Sequence, residues 1–229
     1  MKIGILQTGR APDELRAEFG DYDAFFRRLL AGRGFTFETW AVLDSVLPPG
    51  PAAADGWIIT GSRFGVYEDH PWIAPLEDLV RAIVAARVPL VGICFGHQLV
   101  AQALGGKVER FAGGWSVGAV DYDTGAGAQD RLLAWHRDQV VTPPEGARTI
   151  AATPFCRHAA LAYGDHVLTL QPHPEFTPEF LRALIEARRD LLPPEVAQAA
   201  LDSLAAGPAP DTAHHAAMIA DVLGGSALT

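Results

Sequence analysis

The stretch RVPLVGICFGHQLVAQALG, residues 87–105, joins a strand pattern directly to a helix pattern. Residues 88–93 are mostly apolar, as in a buried strand, and the apolar residues within 99–104 recur at helical spacing. Cys94 lies between the two patterns. The sequence therefore predicts that Cys94 occupies a turn that leads from a strand into a helix.

Two glycines, Gly92 and Gly96, flank Cys94. A strand that turns abruptly into a helix needs small residues around the turning residue, as in the nucleophile elbow. The first amides of the helix lack partners within the helix and carry partial positive charge, which stabilises a thiolate. A buried structural cysteine is the alternative. The glycines and the change from strand to helix favour a nucleophile.

The composition is that of a single globular domain, expected over residues 1–229. The chain is 49% hydrophobic and 20% charged, and its formal net charge is −9, with no dense basic cluster. We therefore expect no nucleic-acid binding and no membrane binding. No apolar stretch approaches the roughly 18 to 20 residues that span a bilayer. The two cysteines, Cys94 and Cys156, form no disulfide framework, and the N-terminus resembles a strand, which predicts a cytoplasmic location.

Strand and helix patterns alternate up to Gly105. The predicted strands are 2–7, 35–42, 56–60 and 88–93, and the predicted helices are 22–30, 72–86 and the one that follows Cys94. This alternation predicts an α/β fold of three layers, with a mostly parallel central sheet and helices on both faces.

The pattern changes after Gly105. Short β-like segments are separated by Gly, Pro and Asp, and we expect them to form a short antiparallel extension at the edge of the sheet. These segments lie near 107–111, 115–122, 148–152, 159–163 and 166–171. Residues from about 191 to 229 are predicted to be a helical C-terminal extension, which includes a helix near 212–223.

His173 is the candidate partner of Cys94 among the eight histidines. It follows the predicted strand 167–171, and ligands of such sheets bind beyond the carboxyl ends of the strands. Pro174 favours an extended conformation at His173, so the side chains of His173 and Glu175 emerge on the same side. A thiol, a base and a carboxylate that orients the base are the parts of nucleophilic acyl transfer.

Acyl transfer also needs backbone donors for the oxyanion of the tetrahedral intermediate. The amide of Phe95, at the start of the helix after Cys94, is one candidate. Gly61 follows the predicted strand 56–60, and its small size lets a second amide approach the same oxyanion.

GICFGHQ at 92–98 and QPHPEF at 171–176 together resemble the class I (triad) glutamine amidotransferases, and in particular their stand-alone, GMP-synthetase-like glutaminase domains. The resemblance covers roughly 1–190 and implies a flavodoxin-like fold. It also implies a glutaminase that forms a γ-glutamyl thioester and needs no metal or organic cofactor.

The resemblance also implies roles for individual residues. Cys94 is the implied nucleophile, His173 the base and Glu175 its orienter. The oxyanion donors are Gly61 and Phe95, and the substrate-binding residues are Gln98, Trp115 and Ser116. His136 and Asp138 match a further element of the family, for which we expect a structural or partner-facing role.

The leaving group stays open at this point. The loop at 60–65 lacks the Gly-Gly-Pro that is usual in the family, and the chain has no room for a synthetase domain. Ammonia from glutamine would then pass to a separate synthetase. A γ-glutamyl peptidase that acts on γ-glutamyl peptides is the first alternative. A catalytically idle regulatory or binding subunit is the second, and the complete set of Cys, His and Glu argues against it.

Overall fold

The computed structural model describes residues 1–226. Within that range the chain forms eleven strands and seven α-helices. The strands are Lys2–Leu6 (β1), Thr36–Trp40 (β2), Gly56–Ile59 (β3), Leu90–Ile93 (β4), Lys107–Arg110 (β5), Ser116–Gly125 (β6), Ala128–His136 (β7), Asp138–Thr142 (β8), Ala147–Ala151 (β9), Ala160–Tyr163 (β10) and Val167–Leu170 (β11). The helices are Asp13–Phe19 (α1), Tyr22–Leu29 (α2), Ile73–Ala85 (α3), Phe95–Ala103 (α4), Pro178–Ala187 (α5), Pro194–Ala205 (α6) and Thr212–Leu223 (α7).

Seven strands form the central sheet in the order β2-β1-β3-β4-β11-β10-β9. The pairs from β2 through β11 are parallel, whereas β10 and β9 are added antiparallel. The predicted α/β fold with a mostly parallel sheet is confirmed. The prediction that 166–171 belongs to the antiparallel edge is wrong, because β11 pairs in parallel with β4 inside the sheet.

Helices cover both faces of this sheet. On one face, Ile5 belongs to a buried cluster that also contains Phe26 of α2 and Leu223 of α7. On the other face, Leu6 belongs to a cluster that contains Leu76 of α3. Successive strand residues therefore bury their side chains in opposite layers, as the alternation of a strand requires, and three layers result.

Two further two-stranded sheets, β5-β8 and β6-β7, lie outside the central sheet. The strands β7 and β8 were not predicted, because charged and polar residues interrupt their apolar pattern. The hairpin β6-β7 joins the rest of the fold at Leu133, which is fully buried in a cluster with residues of α5 and α6. Through an isolated antiparallel bridge, Leu133 also pairs with His173, so the hairpin reaches the end of β11.

The chain after residue 191 forms α6 and α7 as far as it is described. Ile219, Val222 and Leu223 of α7 are buried against the central sheet, and Ala200 of α6 is buried beside β6. Residues 227–229 of the predicted extension lie outside the described residues. In the described part of the chain, no helix has the length and apolar character needed to cross a membrane.

Candidate active site

Cys94 joins β4 to α4 in a backbone conformation that is rare for a residue with a side chain. Its φ is +53° and its ψ is −100°. Two hydrogen bonds hold this conformation: the Cys94 amide donates to the Leu170 carbonyl of β11 at 2.7 Å, and the Cys94 carbonyl accepts from the Gln98 amide at 3.0 Å. Such strain persists only where the surrounding structure fixes it, and it is common at active sites.

The two glycines beside Cys94 are sterically required, as predicted. A Cβ on Gly92 would lie 2.6 Å from the carbonyl oxygen of Gly96. A Cβ on Gly96 would lie 2.5 Å from the carbonyl oxygen of Ile59 in β3. Both contacts are with backbone, which cannot move aside cheaply. The turn at Cys94 therefore tolerates no side chain at either position.

His173 and Glu175 form a buried pair. Their side chains are joined by a hydrogen bond of 2.7 Å between Nδ1 and Oε1, and both side chains are almost fully buried. The His173 ring stacks on Phe176 at 4.0 Å, and its backbone amide donates to the Leu133 carbonyl of β7 at 2.8 Å. Because a carboxylate only accepts, Nδ1 donates and Nε2 remains available. Nε2 has no hydrogen-bond partner among residues 1–226.

The charges around His173 favour its protonated form. Burial lowers the pKa of His173, but the charges of Glu175 and Cys94 raise it by more, to about 10. The imidazole and Cys94 both lie next to Gly61. A Cβ on Gly61 would lie 3.1 Å from His173 Cε1 and 3.7 Å from Cys94 Cβ. The structure therefore brings together Cys94, His173, Glu175 and Gly61.

The two predicted oxyanion donors both belong to residues that lie close to Cys94. Phe95 opens α4 immediately after Cys94, and Gly61 lies on the loop after β3. Neither amide donates a backbone hydrogen bond within the described chain. Both are therefore free to donate to a ligand, and their role as oxyanion donors stays a prediction.

Gln98 lies one helical turn beyond Cys94, as the sequence predicts, but it does not line the cavity beside Cys94, and substrate binding by Gln98 stays a prediction. Its Nε2 donates to the Asp138 carbonyl at 3.0 Å and to Gln171 Oε1 at 3.1 Å. Gln171 in turn directs its own Nε2 at Cys94 Sγ, at 3.6 Å, and is fully buried. Gln98 thus reaches the sulfur through Gln171. Sequence reasoning missed Gln171, although it stands two residues before His173 at the end of the same strand.

Trp115 and Ser116 do not line the cavity next to Cys94. Trp115 packs on Trp135, with 5.7 Å between ring centroids, and Ser116 begins β6 opposite His136. Trp135 does line the cavity, and its carbonyl lies 3.9 Å from Cys94 Sγ. Substrate binding by Trp115 and Ser116 stays a prediction.

His136 and Asp138 connect the β7-β8 segment to the site. Burial lowers the pKa of His136 to about 3, so its ring is neutral, and its Nδ1 lies 3.2 Å from the Asp138 carbonyl. Burial raises the pKa of Asp138, whose carboxylate accepts from the Tyr67 hydroxyl at 2.9 Å. The Asp138 carbonyl accepts a hydrogen bond from Gln98, and Gln98 also contacts Gln171, whose amide nitrogen lies near the sulfur of Cys94.

A cavity of about 710 Å³ opens beside Cys94. Its volume lies within the roughly 300–1,000 Å³ of sites that hold drug-sized ligands. Cys94, His173 and Glu175 line it together with segments of several loops. Those loop segments are 9–14, 43–45, 61–64 and 70–72. In the described residues, no group of three or more His, Cys, Asp or Glu side chains is placed to hold a metal ion.

The fold and the site define a class of protein in which a thiol, an imidazole and a carboxylate meet at the carboxyl edge of a parallel sheet. Residues 40–186 match the family "Glutamine amidotransferase class-I", and the chain belongs to that family.

Relatives within the family differ in the reactions that their names give. The chain is 27% identical to gamma-glutamyl peptidase 2 of Arabidopsis thaliana, over 81% of this chain and 80% of that protein. It is 33% identical to a glutamine-hydrolyzing GMP synthase subunit of Sulfolobus acidocaldarius, over 53% of this chain and 67% of that protein. The crystal structure of a glutamine amidotransferase from Methylobacillus flagellatus shares the fold, with a TM-score of 0.77 and 23% identity, over 97% of this chain and 92% of that one.

Proposed function

We propose that the chain hydrolyses a γ-glutamyl amide through a thioester on Cys94 and releases ammonia from glutamine. The observation that carries this proposal is the buried His173–Glu175 pair, which faces a cysteine on a strained turn at the edge of a large cavity. Family membership supports the same reaction class. We also propose a cytoplasmic location, since both Cys94 and Cys156 are free thiols.

In the first step, Cys94 Sγ attacks the γ-carbonyl carbon of the substrate. The attacking form of a cysteine is its thiolate. The pKa of His173 is raised to about 10, so the imidazole carries a proton at neutral pH that it can give to the leaving group. The oxygen that becomes negative accepts hydrogen bonds from the amides of Phe95 and Gly61. The bond between carbon and nitrogen then breaks, and His173 Nε2 gives its proton to the leaving nitrogen.

In the second step, water replaces the amine. His173, now neutral, takes a proton from the water as its oxygen attacks the thioester carbon. The bond between carbon and sulfur breaks, glutamate leaves, and the Cys94 thiolate and the His173 imidazolium are restored. Glu175 holds Nδ1 throughout and keeps Nε2 directed at the reacting atoms.

A γ-glutamyl peptidase is the second candidate function. The cavity of about 710 Å³ has the size of sites that hold drug-sized ligands, so it leaves room for a leaving group larger than ammonia. Relatives that align along most of the chain are named gamma-glutamyl peptidases. The glutaminase function needs an ammonia acceptor, and a separate synthetase would supply it, as the similarity to a GMP synthase subunit suggests. A catalytically idle regulatory protein would use neither substrate.

The decisive experiment offers glutamine and a γ-glutamyl dipeptide side by side to the parent chain and to Cys94→Ala. We expect turnover by the parent chain and a loss of at least about 10³-fold in the variant, since nothing else supplies the nucleophile. The ratio of kcat/KM values then separates glutaminase from peptidase.

Retained turnover in Cys94→Ala, with the fold intact by circular dichroism, would contradict the mechanism. Absence of turnover by the parent chain on both substrates would favour an idle or partner-dependent protein. Cys156→Ala is the matched control, because Cys156 is buried away from the cavity and burial raises its pKa to about 12.

A further inference from the structure

Arg63 is a cation on the loop that faces Cys94. It lies two residues after Gly61 and lines the same cavity as Cys94 and His173. Its side chain is exposed, and no carboxylate lies within 4.0 Å of it in residues 1–226. The loop therefore presents an unneutralised positive charge to whatever occupies the cavity.

The other charged side chains that line the cavity all have a partner of opposite sign. Arg10 pairs with Asp44, and Arg188 pairs with Glu14 at 2.7 Å. The remaining pairs are Asp13 with Arg16, His70 with Glu68, and His173 with Glu175. Arg63 is thus the one charged side chain of the lining, among the residues the structure describes, that has no ion-pair partner. This unpaired positive charge belongs to a chain whose formal net charge is −9.

Aromatic contacts hold the guanidinium in place. Its carbon lies 4.9 Å from the centroid of the Phe64 ring. Phe64 packs on His70, with 4.2 Å between ring centroids, and on Trp72 at 6.1 Å. A guanidinium over an aromatic face keeps its outer N–H donors free, so stacking leaves Arg63 able to bind a carboxylate through two parallel hydrogen bonds.

The two candidate substrates differ in the net charge that they would bring to Arg63. Glutamine carries an α-ammonium and an α-carboxylate, which cancel each other. A γ-glutamyl peptide carries in addition the carboxylate of its leaving amino acid and is a net anion. We propose that Arg63 selects γ-glutamyl peptides by binding the carboxylate of the leaving amino acid. This assignment rests on the proposed hydrolysis through Cys94 and names the substrate class of that site.

Within the reaction, Arg63 takes no proton and forms no bond. The C–N bond breaks as before, His173 protonates the leaving nitrogen, and the product amine is a free amino acid whose carboxylate Arg63 has held. The contact orients the leaving nitrogen toward His173 and raises kcat/KM for peptides relative to glutamine.

The test compares two substrates that differ only in the proposed contact, γ-glutamylglycine and γ-glutamylglycinamide, with glutamine as the third. We expect the parent chain to prefer γ-glutamylglycine over its amide by about fivefold in kcat/KM, the scale of a partly exposed ion pair. Arg63→Gln removes this preference, and Arg63→Lys keeps part of it because the charge remains. Added salt weakens the preference by screening.

Arg33→Gln is the matched control, since Arg33 is also exposed but does not line the cavity. We expect Arg33→Gln to keep the preference for γ-glutamylglycine over γ-glutamylglycinamide. If Arg63→Gln also keeps the preference, the assignment is overturned. If Arg63→Gln slows all three substrates by the same factor, Arg63 binds the glutamyl half, and the assignment is overturned in that way. Failure of the parent chain to turn over any of the three overturns the assignment together with hydrolysis by the chain alone, and favours an idle or partner-dependent protein.

Discussion

The turn at Cys94 and the β6-β7 hairpin serve one site in different ways. The turn is built from neighbours in sequence: two glycines, a short strand and the first turn of a helix. The hairpin is distant in sequence from Cys94, yet its Leu133 carbonyl holds the His173 amide and its Trp135 carbonyl lies near the sulfur. The turn at Cys94 is thus formed by neighbours in sequence and tied to β11 by the hydrogen bond to Leu170, whereas His173 depends on a hairpin that is distant from Cys94 in sequence.

The greatest loss of activity is expected from breaking the turn, with Gly96→Ala. The added Cβ would lie 2.5 Å from the Ile59 carbonyl, so β3 and α4 must separate. We expect a loss of about 1–3 kcal/mol in the free energy of unfolding, the usual cost of overpacking, together with loss of activity. Urea denaturation measures the first, and turnover of glutamine and a γ-glutamyl dipeptide measures the second.

Gly50→Ala is the control for the turn, because a Cβ there meets nothing within 4 Å. It is expected to change stability by less than about 0.5 kcal/mol. A Gly96→Ala variant as stable and active as Gly50→Ala would show that the turn is not sterically fixed.

A more limited loss is expected from Glu175→Gln, which keeps the shape of the pair but removes its charge. A glutamine side chain can donate from its nitrogen as well as accept at its oxygen, so the proton of the imidazole is no longer held on Nδ1, and we expect kcat to fall roughly 10²- to 10⁴-fold. The pKa of His173 should fall as well, since the Glu175 charge is one of the causes that raise it. Measurement of kcat and of the pH dependence of kcat/KM checks the two expectations.

The same variant should alter the dependence of stability on pH. The pKa of His173 is raised in the folded chain to about 10, so the native state binds the proton more tightly than the unfolded state. The stability that this tighter proton binding contributes is fully present below the pKa of His173 in the unfolded chain, about 6.5. It is lost as the pH rises toward 10. Stability of the parent chain should therefore decline across that window, and Glu175→Gln should flatten the decline. An unchanged slope would contradict the coupling.

The smallest change in activity is expected from Leu133→Ala. Its comparison with Leu181→Ala tests the role of the hairpin. Both residues are fully buried in the same cluster, so each truncation should cost about 2–5 kcal/mol of stability. Only Leu133 carries the carbonyl that holds His173. We expect kcat to fall about tenfold in Leu133→Ala, through misplacement of the base, and less in Leu181→Ala. Equal effects on kcat would reduce the hairpin to a structural support.

Much of the site could be predicted because its signals are local. The positions of Cys94 and Phe95 follow from the joined strand and helix patterns, and the pairing of His173 with Glu175 follows from their spacing around Pro174. The contacts of Gln98 could not be predicted. Helical spacing places Gln98 one turn beyond Cys94 but does not show which groups its side-chain amide contacts. The amide meets Asp138 and Gln171.

Three features follow from the amino-acid order alone: an α/β fold, a glycine-flanked turn at Cys94, and a His173 and a Glu175 that can pair. Periodicity and the sterics of glycine and proline act over a few residues, so they can be recognised without the fold. The position of β11 beside β4, which sets His173 and Gln171 against Cys94, emerges only when the chain is folded. Strand order is settled by hydrogen bonds between segments far apart in the chain, and no local pattern encodes them.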